Sequence, residues 1–548
     1  MSAGGRAGRS PRRISSSASS APRPGRCRGR ISTSPGWPGA RRTCRPCPRA
    51  PPPSAYGCWI GWSPTTTRVE AGRRRSVLKV RLRRAPRGGD TPRAVPVAEG
   101  AGVPQPLRAA AEAARFTGGC GQRLDIPTPE GRVLLVGAGP ARRPLDWERA
   151  GGTAAAGLAG VRRLALDARG LAPEAAAALA AGACLRAWRF GAYRTCDSPL
   201  LEKLDVLVDA PEAVAPHWER VSAGVRGCLL ARDLTAEPGN RLTTRDFAAR
   251  LEGLAEHGIA VDVLGRKRLQ RAGMGGLLAV GGGSAHPPRL AVLRWRGSHA
   301  GPPVAFIGKG ICFDTGGISI KPAQGMEAMR ADMAGAAACA GAMLALALRR
   351  SPAPAVAVLA LAENGIGAEA YRPGDVLRLA AGTTVEVVDT DAEGRLVLAD
   401  ALHYARRFRP QAMIDLATLT GAIVTALGAH RAGLFGTDAA LLAQCAAAGE
   451  AVGEPLWPMP IGQRHREDLA SDIADLKQCA TGRLLPDACH AAAFLREFVG
   501  DTAWAHLDIA GVEMRATAAP LGPKGPSGFG ARLLDALVAH YFEDVDRH

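Results

Sequence analysis

Short apolar runs alternate with alanine-rich or amphipathic stretches along residues 101–548. The first part holds three runs that predict strands, namely Arg132–Gly137, Val161–Asp167 and Leu204–Val208. The run Pro173–Phe190 between them predicts a helix. Alternating strands and helices indicate a small α/β domain over residues 101–215.

The same alternation resumes near Arg232 and continues to the end of the chain. Predicted strands are Ala260–Leu264, Leu290–Trp295, Val304–Ile307, Ala355–Leu361, Val385–Val388 and Met413–Leu416. Predicted helices run from a Thr243 or Thr244 cap to about Glu256, over Ala334–Arg349 and over Leu396–Arg407. The sequence therefore predicts an α/β fold: a small domain, then a larger domain over 216–548, whose mostly parallel twisted sheet is flanked by helices.

Residues 1–100 have a different composition, rich in Arg, Pro, Ser and Gly. They contain 22 Lys and Arg against 3 Asp and Glu, so they carry almost all of the chain's net charge of +20. Such a low-complexity segment cannot bury enough apolar area to fold, and we expect it to be disordered or to reflect a start assigned too far upstream. A transit peptide or a basic nucleic-acid-binding tail are the alternatives.

Three further patterns argue against a zinc site, a dinucleotide-binding site and a membrane protein. Cys44 and Cys47 form a lone CxxC with no second pair to complete a zinc site. Gly137 and Gly139 follow a predicted strand, but Arg142 stands where a dinucleotide fingerprint needs a third glycine. No run of 18 or more apolar residues appears, so we expect no membrane span, and the scattered cysteines suggest an intracellular compartment.

Two glycine-broken stretches, Lys309–Asp332 and Asp389–Arg395, concentrate charged residues after predicted strands. Carboxylates gathered on irregular backbone need a compensating cation, because an isolated buried charge is costly. The gathered residues are two lysines, one arginine and four acids: Lys309, Lys321, Arg395, Asp314, Asp332, Asp391 and Glu393. Ordinary surface salt bridges would explain the charged residues of either stretch alone. They do not explain the presence of both stretches in one chain.

The spacing points to two divalent metal ions. Asp391, Glu393 and Arg395 lie at i, i+2 and i+4, which in extended backbone places them on one face. Four converging carboxylates would repel one another unless a pair of metal ions neutralised them. A lysine beside two dications favours its neutral form and could serve as a ligand. The sequence has no HExxH, which excludes single-zinc proteases of that type.

The stretches GKGICFDTGGISIK and DTDAEGRLVLADAL resemble the signature of the leucyl aminopeptidases, the two-metal cytosol aminopeptidase family. The similarity covers most of residues 101–548 and includes Thr418-Leu-Thr-Gly421 and Trp504-Ala-His-Leu-Asp508. It implies hydrolysis of the N-terminal residue of peptides, preferably Leu or another apolar residue, by water activated between two Mn²⁺ or Zn²⁺ ions. It also implies a cytoplasmic homohexamer, with no membrane partner.

The resemblance implies a role for each matched residue. The implied metal ligands are Lys309, Asp314, Asp332, Asp391 and Glu393. Lys321 matches the lysine that polarises the substrate carbonyl, and Arg395 matches the arginine that holds a bicarbonate-like anion. The implied pocket for the substrate side chain is formed by Met329, Thr418, Gly421 and Ala510.

The chain departs from the family pattern at three places, of which Thr315 in place of the commoner Ser should be harmless. Asp389 replaces a typical Asn and adds a negative charge beside the site. The segment Asp487–His490 replaces a Gly-rich stretch that ends in Ile-Thr. We interpret this change as an ordinary helix start, and the alternative is that Cys489 and His490 add a contact near the pocket or a subunit interface. Two other functions stay open: a DNA-binding regulator, if the basic arm belongs to the protein, and a scaffold without activity. We expect no nucleic-acid partner otherwise.

Overall fold

The computed structural model of the protein describes residues 78–86, 91–195, 200–482 and 485–543. The lone CxxC and most of the basic segment lie outside the described residues. The first sheet has six strands: β1 (Lys79–Arg83), β2 (Arg93–Ala98), β3 (Arg123–Thr128), β4 (Gly131–Gly139), β5 (Arg163–Asp167) and β6 (Lys203–Leu207). Their order is β1-β6-β5-β2-β4-β3, and every pairing is parallel except β3 with β4.

Two of these strands correct the predicted domain limits. β1 and β2 lie inside residues 1–100, where the composition predicted no fold, because their alternating apolar residues are flanked by arginines and prolines that mask the pattern. The first-region helices are α1 (Arg108–Ala113), α2 (Pro144–Gly157), α3 (Pro173–Ala187) and α4 (Pro211–Ala236). α4 crosses the predicted limit at residue 215 without a break and packs against helices of both regions.

The second region contains thirteen described strands and ten described α-helices. The strands are β7 (Ala260–Leu264), β8 (Arg289–Trp295), β9 (Val304–Asp314), β10 (Ala355–Asn364), β11 (Val376–Arg378), β12 (Thr384–Glu386), β13 (Ala412–Ala417), β14 (Ala432–Gly436), β15 (Leu456–Pro458), β16 (Leu476–Lys477), β17 (Ala503–Asp508), β18 (Met514–Arg515) and β19 (Gly525–Pro526). The helices are α5 (Thr244–Glu252), α6 (Arg266–Arg271), α7 (Gly275–Val280), α8 (Ala334–Leu348), α9 (Glu393–Ala405), α10 (Gly421–Leu427), α11 (Ala439–Val452), α12 (Gln463–Glu467), α13 (Asp487–Arg496) and α14 (Ala531–Tyr541).

The main sheet of this region has the order β15-β14-β17-β13-β9-β10-β8-β7. Its four central strands, β17, β13, β9 and β10, are mutually parallel, and antiparallel pairings occur toward both sides. Gly308 on β9 lies opposite Leu416 on one side and Leu359 on the other. Because the four central strands are parallel, their carboxyl ends meet at one edge of the sheet. The predicted α/β class, with helices covering the sheets, is confirmed.

Helix α8 lies in the core under this sheet. Its alanine-rich sequence presents small side chains that allow close packing on β9 and β13, and every residue from Ala334 to Ala347 is buried. Residues Met326–Leu348 are long and apolar enough to cross a membrane by length and composition, yet 94% of their most apolar 18-residue part is buried inside the protein. The burial identifies it as a core element.

A buried ion pair connects the two regions. Arg532 on α14 contacts Glu148 on α2 through two hydrogen bonds of 2.7 Å, and both side chains are almost fully buried. Arg232 on α4 donates to the carbonyl of Leu185 at 2.6 Å and to that of Ser527 at 2.9 Å. A buried guanidinium with several carbonyl or carboxylate partners fixes the orientation of the elements that it joins.

Candidate metal and catalytic site

The first charged stretch begins inside a strand. β9 continues to Asp314, seven residues beyond the predicted end at Ile307. Lys309 therefore lies within this strand, and Asp314 is the last residue of the strand. Asp332 follows a 3₁₀ turn over Met326–Ala331 and precedes α8. The strand therefore delivers two of the predicted site residues directly to the carboxyl edge of the sheet.

The second stretch differs from the prediction. It follows β12, which belongs to a separate three-stranded sheet with β11 and β16, and α9 begins at Glu393. Asp391 and Glu393 thus lie in a turn and a helix, not on one face of an extended strand. The turn is closed by the Asp391 amide, which donates to the Asp389 carboxylate at 2.9 Å. Helix propensity in Glu393–Ala405 outweighs the short alternating pattern that suggested a strand.

Lys309 is at the centre of one group of site residues. Its ammonium nitrogen lies 2.8 Å from a carboxylate oxygen of Asp332 and 2.8 Å from one of Glu393. It also donates to the carbonyl of Thr418 at 2.9 Å, and the Thr418 hydroxyl donates to Asp332 at 2.8 Å. The end of β13 is thereby connected to the first charged stretch.

Lys321 joins the second group. Its ammonium nitrogen lies 2.9 Å from Asp314 Oδ2 and 2.5 Å from Asp391 Oδ1. Asp314 also accepts hydrogen bonds at its other oxygen from the Asn364 side-chain amide at 2.8 Å and from the Gly316 backbone amide at 2.9 Å. Gly316 has a φ of +84°, and a Cβ there would lie 2.9 Å from Asp391, so this turn requires glycine.

The two groups converge on a cluster of carboxylates. Asp314, Asp332 and Glu393 are buried, and each offers an oxygen within 4.8 Å of the others. In the part of the chain that the structure describes, Asp332 Oδ2 and Glu393 Oε2 are buried without a hydrogen-bond partner. With Asp391, four acids face two lysines. The excess of negative charge and the unpartnered oxygens fit a site for divalent cations.

The electrostatics of the site reflect this crowding. Burial and the nearby Asp314 raise the pKa of Glu393 to about 8, against the opposing effect of Lys309. Burial likewise raises the pKa of Asp332 to about 7, although Lys309 opposes the increase. Burial alone would lower the pKa of Lys309, but the surrounding carboxylates raise it well above its ordinary value. Without metal, Lys309 is therefore the charged counter-ion of these acids.

Two polar residues that the sequence analysis did not select also shape the site. Asn364, the last residue of β10, donates to the carbonyl of Thr390 at 2.9 Å as well as to Asp314. Gln478 accepts from the amides of Val388 and Asp389 at 3.1 Å and donates to the carbonyl of Ala392 at 2.9 Å. A polar residue at the end of an apolar strand was a usable signal for Asn364. Gln478 had no local signal.

Arg395 lies next to these residues but contacts none of the four acids directly. Its guanidinium, 3% exposed, donates to the carbonyl of Gln478 at 3.2 Å and lies 2.9 Å from the carboxylate of Asp487. Asp487 is the first residue of α13. The structure therefore pairs Arg395 with an acid from the segment that departs from the family pattern.

The four predicted pocket residues lie around the same edge. Thr418 follows β13, Gly421 is the first residue of α10, and Ala510 follows β17. Asp508 joins them, since its carboxylate accepts from the amides of Leu419 at 3.1 Å and Ala510 at 3.3 Å. Ala510 packs against a small apolar cluster that contains Ile423, Phe435 and Cys489. Met329 lies in the 3₁₀ turn before Asp332.

Sequence comparisons assign both regions to one family. The model of the cytosol aminopeptidase family catalytic domain matches residues 229–535, and that of the family's N-terminal domain matches residues 103–196. A probable cytosol aminopeptidase from Rhizobium etli is 46% identical over 466 residues, 81% of this chain and 92% of the relative. One from Nitrobacter winogradskyi is 44% identical over 455 residues, 80% of this chain and 91% of the relative.

Two solved structures are similar over most of the chain. The bottromycin maturation enzyme BotP in complex with Mn has a TM-score of 0.75 and 35% identity, and the match covers 82% of this chain and 99% of BotP. A tomato leucine aminopeptidase mutant has a TM-score of 0.75 and 30% identity, over 84% of this chain and 96% of its own. This chain therefore belongs to the cytosol aminopeptidase family, and it is an aminopeptidase, a peptide hydrolase.

Proposed function

We propose that the protein removes the N-terminal residue of peptides, preferably Leu or another apolar residue, with water activated between two divalent metal ions. The observation that carries this proposal is the buried cluster of Asp314, Asp332 and Glu393, two of which have a carboxylate oxygen without a partner among the described residues. A buried acid cluster without enough cations is costly, and metal ions compensate it.

The metal-binding residues in this proposal are Lys309, Asp314, Asp332, Asp391 and Glu393. Their oxygen-rich set with one amine suits Mn²⁺ or Zn²⁺, and the Mn complex of the similar BotP structure supports manganese. Metal ions held by these residues would lower the pKa of a coordinated water, so that hydroxide would be available near neutral pH. The charged ammonium of Lys309 and a metal ion would compete for the same carboxylate oxygens. Metal binding therefore requires Lys309 to lose its proton or to release its carboxylate partners.

Lys321 is the lysine that can reach a substrate. Its side chain is 20% exposed, whereas that of Lys309 is 4% exposed. We assign Lys321 to the carbonyl oxygen of the scissile bond, where a fixed ammonium stabilises the charge that develops during attack by water. Asp314 and Asp391 hold the ammonium in place from two sides at 2.9 and 2.5 Å.

The free amine of a peptide is the group that an acidic site of this kind selects. The side chain of the N-terminal substrate residue enters a pocket formed by Met329, Thr418, Gly421 and Ala510. The apolar cluster behind Ala510 favours Leu or a residue of similar size in this pocket. Arg395 completes the site by holding an anion beside the metal ligands, at a position where the Asp487 carboxylate already pairs with its buried guanidinium.

The protein acts in the cytoplasm as a homohexamer in this proposal. The cytoplasmic assignment is supported by relatives that are named cytosol aminopeptidases. The hexamer is supported by the family resemblance and by exposed apolar side chains suited to contacts between copies, including Ile320, Trp457 and Ile473. Light scattering of the purified protein would report a mass six times that of one chain, and a monomer would contradict the assembly.

Hydrolysis of a leucine anilide tests the activity. The purified protein should release the aniline, lose activity after chelation and regain it with Mn²⁺ or Zn²⁺. Glu393→Gln should lack activity at every metal concentration, whereas Glu369→Gln, which changes only a surface ion pair with Arg266, should behave as the parent. Folded, metal-loaded protein that releases nothing would overturn the proposal.

A further inference from the structure

The carboxylate of Asp487 lies where a dissolved anion would otherwise bind Arg395. Asp487 Oδ1 lies 2.9 Å from Arg395 Nη2, and the pair joins α13 to α9, 92 residues earlier in the chain. The Arg395 side chain is almost fully buried, while 39% of the Asp487 side chain is exposed. The guanidinium is thus fixed in the protein, and its anion faces solvent.

The position of Asp487 at a helix start does not by itself explain this contact. An acid in the first turn is favourable because of the helix dipole, wherever its side chain points. The amides of Cys489 and His490, however, donate to the Pro486 carbonyl. The Asp487 carboxylate is instead turned toward Arg395, which donates to it as a charge-assisted hydrogen bond.

The segment before Asp487 is anchored to the loop of the second charged stretch. Gln478 binds the backbone of that loop on both sides of Asp391, through the amides of Val388 and Asp389 and the carbonyl of Ala392. Its own carbonyl accepts from Arg395. Burial alone would lower the pKa of the Arg395 guanidinium, but Asp487 and the nearby Glu393 raise it. The Asp487 carboxylate is therefore held close to the proposed metal ligands without being one of them.

A carboxylate and a bicarbonate ion are equivalent partners for a guanidinium. Each is planar, carries one negative charge and presents two oxygens to the N–H groups. A tethered group has an effective concentration on the order of millimolar or higher, so it displaces a dissolved anion that binds weakly. Asp487 therefore competes for the position on Arg395 that the family resemblance gives to a bicarbonate-like ion.

We propose that Asp487 is the resident anion of Arg395, which makes this enzyme independent of dissolved bicarbonate. The inference rests on the proposed aminopeptidase function and names the anion of the same site. Asp487 is a positioning residue here, because it acts on the reaction through Arg395. Removing its carboxylate should leave a vacant anion site that bicarbonate can fill.

The test measures leucine anilide hydrolysis by full-length, metal-loaded protein in buffer freed of carbon dioxide, with and without added bicarbonate. The parent enzyme should show the same rate in both buffers. Asp487→Ala should lose about tenfold or more of its rate without bicarbonate and recover most of it when bicarbonate is added. Asp468→Ala is the matched control, because it removes an acid that contacts His490 on the same helix but not Arg395.

Several results would overturn the inference. One is a parent enzyme that bicarbonate stimulates as strongly as it stimulates the variant, and another is an Asp487→Ala protein with full activity in both buffers. Thermal denaturation provides a second measurement, for which Asp487→Asn serves if the alanine variant does not fold. Bicarbonate should raise the midpoint of the variant and not that of the parent. An inactive parent enzyme would contradict the proposed function, and the midpoint shift would still decide the anion site.

Discussion

Gly394 lies so close to the end of the Lys309 side chain that any larger residue would displace it. A Cβ atom on Gly394 would lie 2.8 Å from Cε and 2.9 Å from Nζ of Lys309. Gly394 is in the first turn of α9, next to Glu393, so a side chain there would displace the lysine or its acidic partner. The glycine thus sets the distance between the helix and β9.

Gly394→Ala should lower leucine anilide hydrolysis by tenfold or more, because shifts of about 1 Å at a catalytic site have effects of that order. Circular dichroism should show that the variant keeps its helices. Gly253→Ala is the control, since no atom lies within 4 Å of a Cβ at that position. Parent-like activity of Gly394→Ala would show that Lys309 moves without consequence.

Asn364→Ala should weaken metal binding. Asn364 orients Asp314 and the Thr390 carbonyl with hydrogen bonds of 2.8 and 2.9 Å, and loss of such an outer partner typically lowers metal affinity about 10–100-fold. Calorimetric titration with Mn²⁺ would measure the change. Asn240→Ala, at an exposed position, should bind as the parent does, and equal affinity of all three proteins would contradict the proposed role.

Glu393→Gln should stabilise the metal-free protein while it removes activity. Four acids face two lysines in the site, and one Glu393 oxygen is buried without a partner in the described chain. Burial raises the pKa of Glu393 to about 8, so a neutral amide avoids the cost of ionising this buried group and stabilises the protein by about 1–3 kcal/mol at neutral pH. Denaturation in chelator should therefore show a higher midpoint for the variant. Added Mn²⁺ should raise only the midpoint of the parent, and a less stable metal-free variant would contradict the expectation.

Asp400 should make stability depend on pH independently of metal. Asp400 on α9 is fully buried, accepts from the amides of Leu277 at 2.9 Å and Ala380 at 2.8 Å, and has a pKa raised by burial to about 7. The folded protein therefore binds the proton more tightly than the unfolded chain. This contribution to stability is present at low pH and is lost as the pH rises from about 4 to about 7.

Asp400→Asn should remove that part of the pH dependence. Urea denaturation of both proteins from about pH 4 to about pH 7 measures this dependence. The unfolding free energy of the parent should fall relative to that of the variant as the pH rises. At low pH the variant should be less stable than the parent by about 1–3 kcal/mol, because its amide group faces a backbone donor. This deficit should shrink as the pH rises to about 7, because only the parent then has a buried carboxyl group to ionise. Parallel curves for the two proteins would contradict the assignment.

Ala510→Phe should change the substrate preference. Ala510 packs against the cluster of Ile423, Phe435 and Cys489, and a larger side chain would reduce the space for the first residue of a peptide. We expect hydrolysis of a leucine anilide to fall about tenfold or more relative to that of an alanine anilide. Unchanged ratios of kcat/KM for the two substrates would remove Ala510 from the pocket.

The sequence predicted the elements whose pattern is local. Runs such as Ala260–Leu264 and Ala334–Arg349 became β7 and α8 within a residue, because their apolar residues face a single core. β1 and β2 were missed, since their residues gain burial only when the distant β4, β5 and β6 pair with them. The arginines and prolines around these strands masked their alternating apolar residues.

The same distinction holds for the site. Acids in glycine-broken backbone indicated Asp314, Asp332 and Glu393, and the structure brings these three together. The contacts of Gln478 and of Asp487 with the second charged stretch bridge about 80–90 residues, and nothing in their local sequence showed them. The short pattern around Asp391 indicated a strand where the structure has a turn and a helix start.

The ion pair of Glu148 and Arg532 has a consequence during protein synthesis. The two residues are 384 positions apart, so the ribosome completes nearly the whole described chain before the guanidinium reaches its carboxylate. A product that stops before α14 would leave a buried acid uncompensated and the apolar surface of α8 uncovered. We therefore expect chains that lack α14 to expose apolar surface of the kind that chaperones and proteases recognise.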